Sequence, residues 1–205
     1  MQKISIFPTN IWKFSIDESE RVNKGLLEYI QSLKSDPDSV TSGKSQSKWH
    51  TTRRLHDRSQ MSEVNQFVIE SCKSVLEATN VQNGDNLVIT GAWGNISGPG
   101  SNHHKHTHPN NYLSCVYYVA TAEGCNTINF YDPREQVGLI RPSVSEKTID
   151  NAEDISLMVS PGDLVIFPHW LRHNVSTNTS QVERVSIAFN LMFKDYVDTM
   201  SVPMW

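Results

Sequence analysis

From Leu87 to Phe193 the chain is written in short β-rich runs divided by turn residues: LVITGAWGNI, YLSCVYYVA, NTINFYD, ISLMVS, DLVIFP and VERVSIAFNLMF. β-Branched and aromatic residues dominate these runs, which fit a pleated, half-buried surface. Upstream the pattern differs. Ile4 to Ile16 reads as an extended segment interrupted by Pro8, and Asp17 with Glu20 three residues later forms a capping box that opens a helix carrying Val22, Leu26, Ile30 and Leu33. A polar stretch from Lys34 to Lys48 reads as a surface loop, and Met61, Val64, Val68, Cys72 and Val75 mark a second helix. Two helices followed by closely spaced short strands predict a mainly β protein with flanking helices, an antiparallel sandwich or jelly roll buttressed on one face. No Pro/Gly/Ser tract divides the 205 residues, so one domain is expected over 1–205, with a helical buttress over about 1–80 and a β core over about 86–194.

Composition narrows the function classes. The formal net charge is −4 and the basic clusters are as short as Arg53-Arg54, which argues against binding to nucleic acid or an anionic membrane by charge. No uninterrupted apolar stretch approaches the length of a bilayer span, and MQKISIFPTNIWKF alternates polar with apolar residues where a secretion signal would need an apolar block. Cys72, Cys115 and Cys125 form no Cys-x-x-Cys pair and leave an odd count, which suits free thiols in a reducing, cytoplasmic compartment.

The chemistry concentrates in SNHHKHTHPN, residues 101 to 110. In an extended segment side chains alternate, so His104, His106 and His108 are expected on one face and His103 on the other. Pro109 disfavours helical backbone for the residue before it and holds His108 extended at the mouth of the strand that follows. A short His-x-His run cannot close a metal site alone, and a further donor is sought in FPHWLRHNV, which carries His169 and His173.

The succession HTHPN (106 to 110), LSCVYYV (113 to 119), YDPR (131 to 134), PGDLVIFPHWLRH (161 to 173) and RVSIAFN (184 to 190) resembles the superfamily of 2-oxoglutarate- and iron(II)-dependent oxygenases. Within it, the chain resembles a bacterial and phage-encoded group whose members begin with a phrase like IFPTNIW, which would put the protein in a host cytoplasm if phage-encoded. The resemblance implies a double-stranded β-helix with iron(II) in its open mouth and 2-oxoglutarate as co-substrate. Carried over by position, it implies His106, His108 and His173 as ligands and Arg184 as partner of the far carboxylate of 2-oxoglutarate. Ser186, Tyr118 and Ser114 join Arg184, and Asn95 or Trp93 completes the pocket. An arginine suits that role because its fixed fork of donors matches a carboxylate. One departure stands out: the usual facial triad has two histidines and one carboxylate, and His108 occupies the carboxylate position. Either His108 ligates and leaves the metal site more positive, or His106 and His173 bind alone with chloride or water in the third place.

The implied reaction is hydroxylation of a small-molecule or protein substrate, with release of succinate and carbon dioxide. Two rivals remain: a three-histidine, cupin-like dioxygenase that needs no 2-oxoglutarate, and a noncatalytic metal-binding jelly roll. His169 is expected as a surface or pocket-lining residue and Cys115 in the core. Pro161-Gly162-Asp163 is expected as a tight turn, and Asp132 is the nearest alternative carboxylate ligand. The loop WHTTRRLHDR, residues 49 to 58, is expected as a solvated loop or, failing that, a substrate-binding segment. The strand edges and the C-terminal SVPMW leave room for a homodimer.

Overall fold

The computed structural model describes residues 1–35, 48–140 and 142–199; the expected loop between Lys34 and Lys48 falls largely outside them, as does SVPMW. In chain order the elements are β1 (Trp12–Ser15), α1 (Ser19–Ser32), β2 (Lys48–His50), α2 (Ser62–Ala78), β3 (Leu87–Ser97), β4 (His103–His106) and β5 (Leu113–Ala120). They continue with β6 (Thr127–Tyr131), β7 (Asp154–Met158), β8 (Asp163–Pro168), β9 (His173–Val175), β10 (Arg184–Phe193) and α3 (Lys194–Thr199). The strands form a larger sheet, in the order β1-β8-β5-β10-β3-β2, and a smaller one, β4-β9-β6-β7. Every pairing between these strands is antiparallel. This is the mainly β, jelly-roll architecture with flanking helices that the strand pattern predicts.

Strict alternation along the central strands gives the larger sheet two different faces. Val185, Ile187, Phe189 and Leu191 of β10 and Cys115, Tyr117 and Val119 of β5 pack with Ile30 of α1 and Val68 and Cys72 of α2. The apolar stripes of the two helices cover this face and remove it from water, the largest favourable contribution to the fold. Tyr117 donates to Asn23 Oδ1 at 2.7 Å, so this buried hydroxyl is satisfied by α1. Cys72 and Cys115 touch at 3.5 Å between sulfurs as free thiols, and burial pushes the Cys115 thiol pKa up. The opposite face looks toward the smaller sheet, where Tyr118, Val165 and Phe167 meet Ile128 and Phe130 of β6. The same alternation sends Arg184, Ser186 and Asn190 into this inter-sheet lumen.

Two local expectations fail. The strand at the N-terminus is confined to Trp12–Ser15, with Ile4, Ile6 and Phe7 exposed and Phe7 at φ 52°. The Asp17/Glu20 capping box does not form. The helix begins after Glu18, which sits at φ 51° with no side-chain cap and accepts instead from Arg21 Nε at 2.8 Å. The entry is set by tertiary contact: Ile16 N–H donates to Gly162 O at 3.0 Å, and Gly162 N–H donates to Tyr118 O at 2.8 Å. Gly162 lies in the left-handed region at φ +92°, and a Cβ there would collide with Ser19. Gly162→Ala is therefore expected to cost roughly 1–3 kcal/mol in urea unfolding. Gly100→Ala, also at positive φ but with open space around it, is expected to cost less.

Candidate metal centre

The smaller sheet presents the histidines. His106 of β4 lies directly opposite His173 of β9, and His173 lies opposite Phe130 of β6. Residues paired across antiparallel strands project to the same side, and Phe130 belongs to the inter-sheet core, so both histidines point into the lumen. The imidazoles of His106 and His173 stand 4.3 Å apart. His108 follows β4 in irregular backbone, clamped from both directions by one neighbour: its N–H donates to His169 O at 2.9 Å, and His169 Nδ1 sits 3.2 Å from His108 O. His169 is thus half-buried beside the site and fastens the backbone of His108. Trp93 stacks on the His108 ring at 5.7 Å, and Phe167 meets it edge-on at 6.4 Å.

One ligand-capable atom from each of His106, His108 and His173 lies within 4.8 Å of the other two. The tautomers are set by backbone. His106 Nδ1 is 2.8 Å from His104 O and His173 Nδ1 is 2.9 Å from Leu171 O. A carbonyl only accepts, so both Nδ1 atoms carry the proton and both Nε2 atoms offer a lone pair. His108 Nε2 approaches His173 Nε2 to 3.3 Å between nearly parallel rings. Burial pushes the His108 pKa down to about 3 and that of His173 to about 4, with the neighbouring imidazoles adding to the effect. His106 is lowered in the same direction, also by burial. Three neutral, convergent imidazoles are a donor set for a divalent transition metal.

The parity expected for residues 103 to 108 does not hold. The pairing of β4 with β9 shifts register between His103 and His106, and this irregularity turns both to one side. His103 stacks on His106 at 4.4 Å, and His104 is the residue left exposed. Asp132 is held by Arg134 at 2.6 Å and is not among the convergent donors.

The larger sheet supplies the facing wall. Arg184 is 4% exposed, with Cζ 5.1 Å from the Tyr118 ring centre, and Tyr118 is fully buried. Arg184 Nε and the Tyr118 hydroxyl have no hydrogen-bond partner among the described residues. Burial pushes the Tyr118 pKa up to about 12 against the opposing charge of Arg184, so the hydroxyl stays a donor. Ser186 pairs with Asn95 on one side and Tyr118 on the other, which sets the three in one row. Ser114 lies deeper and donates to Asn190 Oδ1 at 3.1 Å. All five positions expected to line a cofactor pocket, Arg184, Ser186, Tyr118, Ser114 and Asn95, therefore share the luminal side of the larger sheet.

Sequence reasoning missed the contribution of residues 48 to 54. These are not a solvated loop. Lys48, Trp49 and His50 pair with Ser97, Ile96 and Asn95, and Thr51 and Leu55 are buried. The register puts Lys48 in one row with Ser97 and Arg184, and His50 in the next with Asn95 and Ser186. The available signal was the alternation of Lys48, His50 and Thr52 around Trp49 and Thr51, too short to separate from loop.

Among known proteins, residues 91–190 match the family model described as "Putative 2OG-Fe(II) oxygenase". A search of curated proteins finds no match. Among solved structures, a Pseudomonas putida prolyl-4-hydroxylase is similar with a TM-score of 0.62 at 10% identity, over 90% of this chain and 93% of that one. The epimerase SnoN from nogalamycin biosynthesis, in complex with Fe3+, alpha ketoglutarate and nogalamycin RO, gives 0.64 at 10% identity, over 96% and 86%. HygX from Streptomyces hygroscopicus, with nickel and 2-oxoglutarate bound, gives 0.59 at 12% identity, over 90% and 83%. The matched segment, 100 of the 205 residues, runs from β3 to β10 and so contains the three convergent histidines and the buried arginine that faces their lumen; over this stretch the chain is similar to the iron(II)- and 2-oxoglutarate-dependent oxygenases.

Proposed function

We propose that the protein hydroxylates its substrate with release of succinate and carbon dioxide, that His106, His108 and His173 hold the iron, and that Arg184 and Tyr118 hold the far carboxylate of 2-oxoglutarate. The observation that carries this assignment is the buried Arg184 against Tyr118, with its Nε and the tyrosine hydroxyl both lacking a hydrogen-bond partner among the described residues. A buried charge stripped of its partner costs roughly 3–5 kcal/mol, so such a pair is retained for an anion that arrives from outside. Two donors on adjacent strands suit a carboxylate, and Ser186 and Asn95 extend the polar wall beside them. The chemistry supplied by bound iron(II) and 2-oxoglutarate is oxygen activation coupled to decarboxylation of the 2-oxo acid.

The residues of the chain orient and protect. His104 O and Leu171 O hold the tautomers of His106 and His173, an outer shell that keeps each Nε2 aimed at the metal position. His169 holds His108 through its backbone, and Trp93 and Phe167 shield the ring from water. With three neutral imidazoles and no carboxylate, the donor set cancels none of the metal's charge, which favours an anionic co-substrate.

Anaerobic titration of the metal-free protein with iron(II) and then 2-oxoglutarate is expected to develop the visible metal-to-oxo-acid charge-transfer band. Arg184→Ala is expected to weaken 2-oxoglutarate binding by roughly 10- to 100-fold, the worth of a charge-assisted contact, and Tyr118→Phe by less. Arg184→Met should also raise the melting temperature of the metal-free protein, because it removes an unpaired buried charge. His108→Ala is expected to lower iron affinity by more than tenfold; unchanged affinity would leave His106 and His173 as the only histidine ligands. Tight iron binding with no band would favour a three-histidine dioxygenase independent of 2-oxoglutarate.

Acid provides a further check. The cluster histidines are neutral in the folded chain well below the ordinary imidazole pKa of about 6.5, so the unfolded chain binds more protons between about pH 6.5 and 4. Stability they contribute is complete above about 6.5 and is lost as the pH falls toward 4. The metal-free protein should melt at progressively lower temperature from pH 7 to 5, with a shallower slope in His108→Gln.

A further inference from the structure

The wall beside the metal position carries cations with no acidic partner. Lys48 stands in the same row as Arg184, and among the described residues its ammonium meets the Asn102 carbonyl, at 3.3 Å. Arg53 is exposed and lies with Cζ 5.7 Å from the Trp93 ring, the ring that stacks on His108. Neither pairs with a carboxylate among the described residues, whereas the adjacent Arg54 is held by Asp57 at 2.6 Å. Lys48 and Arg184 act on His103, Lys48 on His106 and Arg53 on His108, each disfavouring the protonated imidazole; the buried carboxylate on the larger sheet, Asp163, is held by Lys13 and Ser15.

Formal charge then sets the class of ligand. Iron(II) brings two positive charges that the imidazoles do not cancel, and Arg184 brings a third. A 2-oxoglutarate dianion offsets two of these three, which leaves Lys48 and Arg53 uncompensated on either flank of the histidines. A cationic substrate would meet like charge at close range, and an anionic one would be drawn in and held. Arg53 over Trp93 further offers a flat guanidinium, a surface suited to a planar or tetrahedral oxyanion.

We propose that the substrate carries a carboxylate or phosphate group and that Arg53 receives it over Trp93, beside the metal position, with Lys48 adding its charge from farther along the same wall. This rests on the cofactor assignment above and concerns a different pair of residues. Residues 48 to 53 lie outside the matched family segment, in the part of the chain that closes the lumen from the β2 edge.

The test uses protein loaded anaerobically with iron(II) and 2-oxoglutarate, with methylphosphonate, acetate and neutral acetamide as probes. The readout is line broadening of the probe's phosphorus or methyl carbon resonance by the iron, at low salt. Saturable broadening of methylphosphonate or acetate but not acetamide is expected, and whichever anion binds tighter indicates whether the natural group is phosphate or carboxylate. Lys48→Gln/Arg53→Gln is expected to weaken that binding at least fivefold, and the single variants serve if the double variant does not fold. Anions that behave like acetamide, or that bind the variants as well as the parent, would overturn the proposal. So would loss of the charge-transfer band in the variants, because Lys48 and Arg53 would then serve 2-oxoglutarate. Absence of the band in the parent protein would remove the cofactor assignment, and this proposal with it.

Discussion

Everything at the centre of this molecule hangs on β10 being two different surfaces on one strand. Its odd-numbered residues, Val185 to Leu191, are pressed under α1 and α2, and the burial of that face anchors the strand between β3 and β5. With its outward face fixed, the strand has no freedom to turn Arg184 toward water, because a slip of one residue would expose the whole apolar set. The hydrophobic effect on one side thus holds a charge on the other. Arg184 reaches the lumen under the weight of four apolar neighbours and lies there against the Tyr118 ring, its Nε without a hydrogen-bond partner among the described residues.

The smaller sheet reaches the same end by different means. Its histidines are placed by strand pairing and by single backbone contacts. His106 and His173 face each other across β4 and β9, and a carbonyl fixes the tautomer of each. His108 has no strand to hold it and depends on His169, a residue whose neighbour Trp170 is exposed. Rigid scaffold on one side and fastened loop on the other give a lumen in which neutral donors face a cationic wall. Among the described residues the convergent donor set holds imidazoles and no carboxylate, and that is part of its chemistry.

Much of the fold was legible because strand alternation is local: the six runs from Leu87 onward each become a strand, and Cys115, expected in the core, lies there. The helices were legible from their apolar spacing, but the start of α1 was not. Its entry depends on a glycine more than 140 positions away, and the local signal at Asp17 and Glu20 lost to that contact. The same limit shows in the histidine run. Alternation put His103 outside, and a register shift demanded by pairing with β9 brought it in.

The sequence by itself determined the mainly β pattern, the two faces of β5 and β10, and the small set of histidines able to serve as donors, because each follows from chemistry and period within a few residues. Only the tertiary structure decided that His106, His108 and His173 converge, that Arg184 faces them without an acidic partner among the described residues, and that Lys48 and Arg53 stand on the same wall. Those facts join residues from separate strands and both sheets. Convergence of that kind is set by sheet register and inter-sheet packing, which no window of sequence contains.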